Sequence, residues 1–420
     1  MTNESMISVQ EALQIILKTT QDFGVEEIPF LESVGRVLKE DIAADRDFPP
    51  FNRVSMDGIA INQEYFKEGI RDFKIEGVQA AGAKQKIMKI DSNCMEVMTG
   101  AVLPNNTDTV IRYEDVEIKN GVATINLETL ELGKNIHSKG KDRSQGELLI
   151  EKNTIISAAE IGVIATVGKS TVKVAKTPKV IIVSTGDELV EVNENPLAHQ
   201  IRRSNAFTLV SLLEKLHVKA ETSHIVDDKS VLKQKIAQYL EDYDVLLFSG
   251  AVSKGKFDFL PEVLDELGVE KLFHRVTQRP GKPFWYGIAD ALSIANLNRK
   301  SLLSGGEAKN NTNVFAFPGN PVSTYVNCLV YFYPWFAKSV GFELKEEVVI
   351  LGEDVSFKPQ LTYFLQVRVE NIEGQLRAFP IKGNGSGDLA SLVQADGFIQ
   401  LPKEQSEFKK NERFSFIRYR

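Results

Sequence analysis

Four short stretches of this 420-residue chain combine carboxylates, cations and small residues in a way that could handle anions. The first, Ser184-Thr185-Gly186-Asp187-Glu188, offers hydroxyls, a glycine and two adjacent carboxylates. The second runs Ser249-Gly250-Ala251-Val252-Ser253-Lys254-Gly255-Lys256-Phe257-Asp258. Its small residues let backbone N–H groups approach a phosphate, and a helical pattern begins soon after. The third, Arg279-Pro280-Gly281-Lys282-Pro283, adds two cations suited to anionic groups. In the fourth, Pro318-Gly319-Asn320-Pro321-Val322-Ser323, the prolines fix the path of a rigid turn. Each alone reads equally well as an ordinary βα turn. Together they suggest a phosphorylated substrate handled with a divalent metal, most naturally Mg²⁺.

A fifth stretch, "FPPFNRVSMDGIAI", places Asp57 on Gly58 just before an apolar run. Asp-Gly is a common turn pair, so one reading is a plain turn. The other is that a glycine hinge presents Asp57 to a ligand at a strand end. A zinc site is not expected, because His137, His199, His217, His224, His274, Cys94 and Cys328 show no ligand spacing. No local Ser-His-Asp grouping stands out either.

The elements that would position these loops follow from hydrophobic period. "PKVIIVSTGDEL", "DVLLFSGAVSKGKFD" and "NVFAFPGNPVS" each begin with a continuous apolar run and stop at a Gly-containing polar loop. Helical patterns such as "NAFTLVSLLEKLH" and "KSVLKQKIAQYLEDY" lie between them, the former read as core packing. Strands apolar throughout and alternating with helices predict a parallel sheet covered on both faces. Ligands of such sheets bind outside the carboxyl ends of the strands, where the four loops converge.

Around that region the chain divides. Residues 1–45 read as two helical pieces around "VEEIPFLES", the first opened by a Ser8/Glu11 capping box. Together with 145–176, which holds the helical "SAAEIGVIATVG", they form an N-terminal and linker domain. Residues 46–144 read as a β-rich insert, 177–338 as the α/β domain and 339–420 as a closing β domain.

Bulk composition is that of an ordinary soluble protein, 43% hydrophobic and 25% charged. A net charge of −7 gives no general nucleic-acid footprint. Two cysteines exclude a disulfide framework and fit a reducing compartment. The N-terminus lacks a signal-peptide pattern. The most apolar window, "VNCLVYFYPWFA", is too short to span a bilayer and contains Pro334. A cytoplasmic protein without membrane or nucleic-acid partners is expected.

Read in order, "FNRVSMDGIAI", "MTGAVLP", "KGKDRSQGE", "VSTGDEL", "QIRRSN", "SGAVSKGKFDF", "RPGKPFWYG", "FPGNPVS" and "GNGSGDLASL" resemble the successive signatures of the molybdopterin molybdenumtransferase family, which includes the C-terminal domain of gephyrin. The resemblance implies an α/β multidomain fold: a central parallel-sheet α/β molybdopterin-binding domain, a β-rich insert domain and a small C-terminal β-barrel domain. It implies the last step of molybdenum-cofactor synthesis, in which adenylylated molybdopterin and molybdate give the cofactor and AMP, with Mg²⁺. It also implies a homodimer with each active site in a cleft between subunits.

Carried over position by position, the resemblance makes Asp57, Thr99 and Asp142 cleft residues of the β-rich domain. Glu188, Asp227 and Asp258 match the acidic positions of the α/β domain, with Glu188 and Asp258 as the Mg²⁺ ligands. Ser249, Gly250 and Ser253 fall in the Gly-rich cradle, Arg279 and Lys282 match a cationic pair, and Pro318 and Pro321 shape their loop. Ser386 matches a residue that reaches across from a partner subunit. Lys256 reads either as a surface charge or as a contact to the substrate's phosphates. The chain departs from the usual pattern at Ala251 (commonly glycine), at His137 (commonly arginine), at Arg202-Arg203 (commonly Tyr-Asp), and in the extra lysines Lys254 and Lys256. The rival readings are an idle ligand-binding scaffold and a nucleotidyl-transfer enzyme that does not use molybdate.

Overall fold

The computed structural model describes residues 6–250, 252, 259–290 and 311–420. Its centre is a six-stranded sheet in the order Ala220–Ile225, Val180–Thr185, Val245–Ser249, Thr312–Phe317, Trp285–Ala289, Glu270–His274. The first four strands are parallel and the last two antiparallel. The expected parallel sheet is thus four strands wide and finished by an antiparallel pair. Every residue of Val180–Thr185, Val245–Ser249 and Thr312–Phe317 is buried. One face packs on a core holding Leu209, Phe284 and Trp335, the other on Ile236, Val263 and Leu264. Burial on both faces is why these strands read as unbroken apolar runs.

Chain order across the four parallel strands runs second, first, third, fourth. Connections therefore leave Val180–Thr185 in one direction and Val245–Ser249 in the other. The crevice between their carboxyl ends is the topological switch point of the sheet.

The N-terminal helix Val9–Leu17 has its Ser8/Glu11 capping box. The second helical piece expected near "VEEIPFLES" does not form. Val25–Pro29 is a strand paired antiparallel with Thr171–Ala175, and Phe30–Glu32 is a single 3₁₀ turn. The partner lies more than a hundred residues away, so long-range pairing overrides the local pattern. Ile42–Ala43 likewise pairs with Leu148–Ile150, which brings the chain back to its start after the insert. That insert carries a six-stranded sheet of Thr109–Arg112, Gly58–Ile61, Cys94–Val97, Asp72–Gln79, Val122–Ile125 and Val116–Lys119.

The last β region closes into a five-stranded barrel. Thr362–Ile372, Gln375–Pro380, Glu347–Leu351, Arg413–Arg418 and Gly397–Leu401 pair in turn, and the last returns to the first. Closure leaves no open sheet edge within the ring. A sixth short strand, Gln278–Arg279 from the α/β region, adds to Thr362–Ile372. The apolar window near Pro334 is core: Pro321–Asn327 runs through a π turn, Cys328–Phe332, into Tyr333–Val340. The wider turn accommodates the N–H that Pro334 lacks. No helix among the described residues is long and apolar enough to cross a membrane.

Candidate active-site cleft

The switch point opens into a cleft of about 600 Å³ lined by Thr185, Gly186, Glu188, Arg203, Asn205, Asp227, Ser249, Gly250, Pro318 and Pro321. Glycine is required twice on its floor. Gly250 has φ +113°, and a Cβ there would come within 3.1 Å of Thr185 Oγ1 and 3.2 Å of its carbonyl. Gly186 has φ +134°, and the Glu188 carboxylate folds back so closely that a Cβ would lie 2.4 Å from Oε2. Each glycine lets a strand end turn sharply under the cleft.

The two adjacent carboxylates of "TGDE" part company. Asp187 Oδ1 accepts the Asp227 N–H at 3.1 Å and so holds the neighbouring loop, while Glu188 lines the cleft. The Glu188 carbonyl accepts Ile201 N–H at 2.8 Å, and Leu189–Val190 runs parallel to Ile201–Arg202 as a short ribbon at the rim. Asp228 caps the helix Lys229–Asp242 through Val231 N–H at 2.9 Å, fixing the Asp227 loop from its other side.

Asn205 ties three loops together, donating from Nδ2 to Ser249 Oγ at 2.9 Å and to the Gly319 carbonyl at 2.7 Å. Its own helix, Asn205–Glu214, buries Ala206, Leu209, Leu212 and Leu213 as core, as the sequence pattern indicates. Thr185 Oγ1, Asn205 Oδ1 and the Nε and Nη2 atoms of Arg203 are buried without a hydrogen-bond partner among the described residues. Buried polar atoms are rarely left unpaired, so their concentration in one cleft marks a place where a ligand completes the bonding.

A second section of about 360 Å³ adjoins the first through Pro283, Pro318 and Asn320. It is lined by Arg279, Lys282, Tyr363 and Ser386, among others. The Arg279–Pro280 bond is cis. Beneath this loop Gln278 donates to Pro280 O at 2.9 Å and to Asn327 Oδ1 at 2.8 Å, and accepts the Tyr331 hydroxyl. A fully satisfied buried network of this kind holds the loop rigid. Burial pushes the Tyr363 phenol up, with Arg279 pulling against it, so Tyr363 is a neutral hydroxyl at physiological pH.

Ser386 was expected to reach across from a partner subunit, yet it lines the cleft of its own chain. Its carbonyl accepts Val322 N–H at 3.0 Å, beside Pro321. The strand pairing of Gln278–Arg279 with the barrel seats the last domain against the α/β domain, which explains the placement.

Asp57, Thr99 and Asp142 stand apart from both sections, and no residue of 46–144 lines either one. Asp57 and Thr99 do meet: Asp57 Oδ1 accepts the Thr99 N–H at 2.6 Å and its hydroxyl at 2.7 Å. These bonds hold the exposed Asp57 carboxyl below its usual range, the amide contributing most. Gly58 is not a hinge. It opens the strand Gly58–Ile61, and a Cβ would lie 1.9 Å from the Ile111 carbonyl, so glycine permits close strand packing. Asp142 Oδ1 lies 2.7 Å from His137 Nε2, so the histidine at the departing position pairs with the motif's aspartate. Ala251, Ser253, Lys254, Lys256 and Asp258 lie outside the described residues.

Thr185 lies in a loop singled out from the sequence for its hydroxyls, whereas Arg203 and Asn205 were not expected as cleft residues. A signal was present in "QIRRSN", which ends in the asparagine that bridges the loops.

Three family models cover the chain in succession. MoeA N-terminal region (domain I and II) matches residues 7–168, "Probable molybdopterin binding domain" matches 181–338, and MoeA C-terminal region (domain IV) matches 348–419. A Synechocystis protein named molybdopterin molybdenumtransferase is 39% identical over 98% of this chain and 99% of its own length. One of the same name from Staphylococcus epidermidis is 29% identical over 96% of this chain and 93% of its own. The crystal structure of a molybdopterin biosynthesis MoeA protein from Pyrococcus horikoshii superimposes with a TM-score of 0.79 at 29% identity, covering 99% of this chain and 100% of that one.

Proposed function

Because the chain belongs to the MoeA family of molybdopterin molybdenumtransferases, we propose that its switch-point cleft brings adenylylated molybdopterin and molybdate together, inserts the metal and releases AMP. The observation that carries this reading is the continuity of two unlike sections. One holds carboxylates and a Gly-rich turn, the other holds Arg279 and Lys282, and they meet at Pro283, Pro318 and Asn320.

Molybdate and a phosphoanhydride are both anions and repel each other. Arg279 and Lys282 offset that repulsion for whichever anion enters their section, and the buried Gln278 network keeps them from moving away. The Ser249-Gly250 turn lets backbone approach a phosphate. Opening of the anhydride then depends on positioning and charge stabilisation.

Mg²⁺ fits the donors present. The cleft offers carboxylates from Glu188 and Asp227 and the Thr185 hydroxyl, which has no hydrogen-bond partner among the described residues, all hard oxygen donors. An ion held by one or two carboxylates and completed by substrate phosphates and water has that signature. Glu188 would hold it from the cleft wall, with Asp258, which lies outside the described residues, as the second ligand that the family resemblance implies. When bound, it would neutralise charge on the anhydride oxygens.

The site also needs a second chain. Asp57, Thr99 and Asp142 do not line the cleft of their own chain, so in a homodimer the β-rich domain of one subunit supplies them to the cleft of the other. The domain division that serves this is 1–45 plus 145–176, 46–144, 177–338 and 339–420. We assign the protein to the cytoplasm, in keeping with two buried free cysteines.

The test is to incubate the pure protein with adenylylated molybdopterin, with and without molybdate and Mg²⁺, and to follow AMP. Release should require both. Equal release without molybdate would favour a nucleotidyl-transfer enzyme, and no release under any condition would favour an idle scaffold.

A further inference from the structure

Arg203 is the buried cation of the cleft wall. It is 6% exposed, and its Nη1 pairs with the half-exposed Glu191 carboxylate. Its Nε and Nη2 have no partner among the described residues. These two atoms form the side edge of the guanidinium, whose parallel N–H groups suit bidentate capture of a phosphate or carboxylate. A buried guanidinium with three of its five N–H donors unpaired is costly, which argues for a partner that arrives with the ligand.

A second observation concerns the same spot. The ten-residue helix Asn205–Glu214 begins two residues later, and its N-cap, Ser204, makes no side-chain capping bond. Ser204 and Asn205 both line the cleft. The first N–H groups of a helix attract anions. The unpaired edge of Arg203 and an uncapped helix start therefore stand together in one wall. The carboxylates of Glu188 and Asp227 share this cleft and would repel a phosphate without a nearby cation.

We propose that Arg203 is an anion receptor for this cleft, its Nε–Nη2 edge taking two oxygens of the substrate's phosphoanhydride at the start of helix Asn205–Glu214. The identity of that ligand rests on the transferase reading above. Glu191 holds the other end of the guanidinium, so the fork is oriented before the substrate arrives. Arg203 is a binding and positioning residue. Its neighbour Arg202 is exposed and donates to the Glu194 carbonyl at 3.0 Å, which keeps it with the ribbon.

Inorganic pyrophosphate is the probe, titrated calorimetrically at low and moderate salt. Arg203→Gln should weaken binding by about tenfold or more, as expected for losing one charge-assisted bidentate contact. It should also flatten the salt dependence. Arg203→Lys keeps the charge without the fork and should recover only part of the affinity. Glu191→Gln keeps a neutral acceptor for Nη1, so it should lose clearly less affinity than Arg203→Gln. Wild-type affinity in a folded Arg203→Gln protein overturns the proposal. An equal loss in Glu191→Gln also overturns it, because the ion pair would then be a ribbon clamp only. Should the Arg203 variants fail to fold, a crystal of the wild type with pyrophosphate decides. Two oxygens at about 2.7–2.9 Å from Nε and Nη2 support the receptor, and pyrophosphate bound elsewhere refutes it. Wild-type AMP release with molybdate is measured in parallel. Arg203-dependent binding without AMP release would leave the receptor standing and remove the transferase reading.

Discussion

Asp57 takes two hydrogen bonds from a single residue, and that geometry fixes how it responds to pH. Both bonds favour the carboxylate, so its folded-state pKa lies below the ordinary value of about 3.9. Its ionisation therefore supports folding above the unfolded pKa, and the contribution is lost as pH falls through the lower folded value. Thr99→Val removes the hydroxyl but keeps the amide, which is the larger cause. The Asp57 carboxyl, followed by carbon NMR, should then titrate at higher pH than in the wild type yet still below an unperturbed aspartate. An unshifted titration would remove the hydroxyl from the account. Charge at Asp57 and Glu188 is also where catalysis should be most sensitive. Asp57→Asn and Glu188→Gln keep shape and remove charge, so AMP release should fall by roughly two or more orders of magnitude. The unfolding temperature should not move in Glu188→Gln, whose tie to the ribbon runs through its backbone carbonyl, and should fall only slightly in Asp57→Asn, which keeps an acceptor for Thr99 but loses the charge. Near wild-type turnover by Asp57→Asn would make its motif an ordinary loop end.

At the scale of elements, the cleft depends on how the strands end. Gly250 is held at φ +113° with Thr185 directly above it. Gly250→Ala forces a Cβ into a backbone region that side chains rarely adopt, a strain of about 1–3 kcal/mol. Chemical denaturation should show that loss, and pyrophosphate binding should weaken because Thr185 is pushed towards the ligand. Unchanged stability would mean that the turn relaxes freely. How much of this was legible depended on whether the cause was local. The Ser8/Glu11 cap and the helix Ala158–Thr166 were readable because their signals lie within a few residues. The three central strands were readable because burial on both faces leaves no polar alternation. Val25–Pro29 was not legible as a strand, and a second helical piece was expected around it, because its partner, Thr171–Ala175, is remote. The antiparallel edge of the sheet was missed for the same reason. Glu188, Asp227, Arg279, Lys282, Pro318 and Pro321 come together because each sits in a loop where a strand or a tight turn ends. Arg203 carried no such mark, since a cation beside a second cation reads as surface until its burial is known.

Across the whole molecule, the last domain and the β-rich insert play different parts in the cleft. The barrel is joined to the α/β domain of its own chain by the pairing of Gln278–Arg279 with Thr362–Ile372, and it delivers Ser386 there. The insert holds Asp57, Thr99 and Asp142 but lines neither section of that cleft. If two chains exchange inserts across a two-fold axis, each complete site takes its carboxylate and cation loops from one chain and its Asp57 from the other. This makes a prediction that intact single chains cannot imitate. Asp57→Asn and Glu188→Gln proteins, each inactive alone, are mixed under conditions that exchange subunits. In a mixed dimer one site collects both defects and the other collects neither. Random exchange makes half of the dimers mixed, so AMP release should recover to about a quarter of the wild-type value per chain. Mass analysis of differently tagged chains confirms that mixed dimers have formed. No recovery in their presence would mean that each chain builds its own site, and Asp57 would then have to reach the cleft by a rearrangement within the chain.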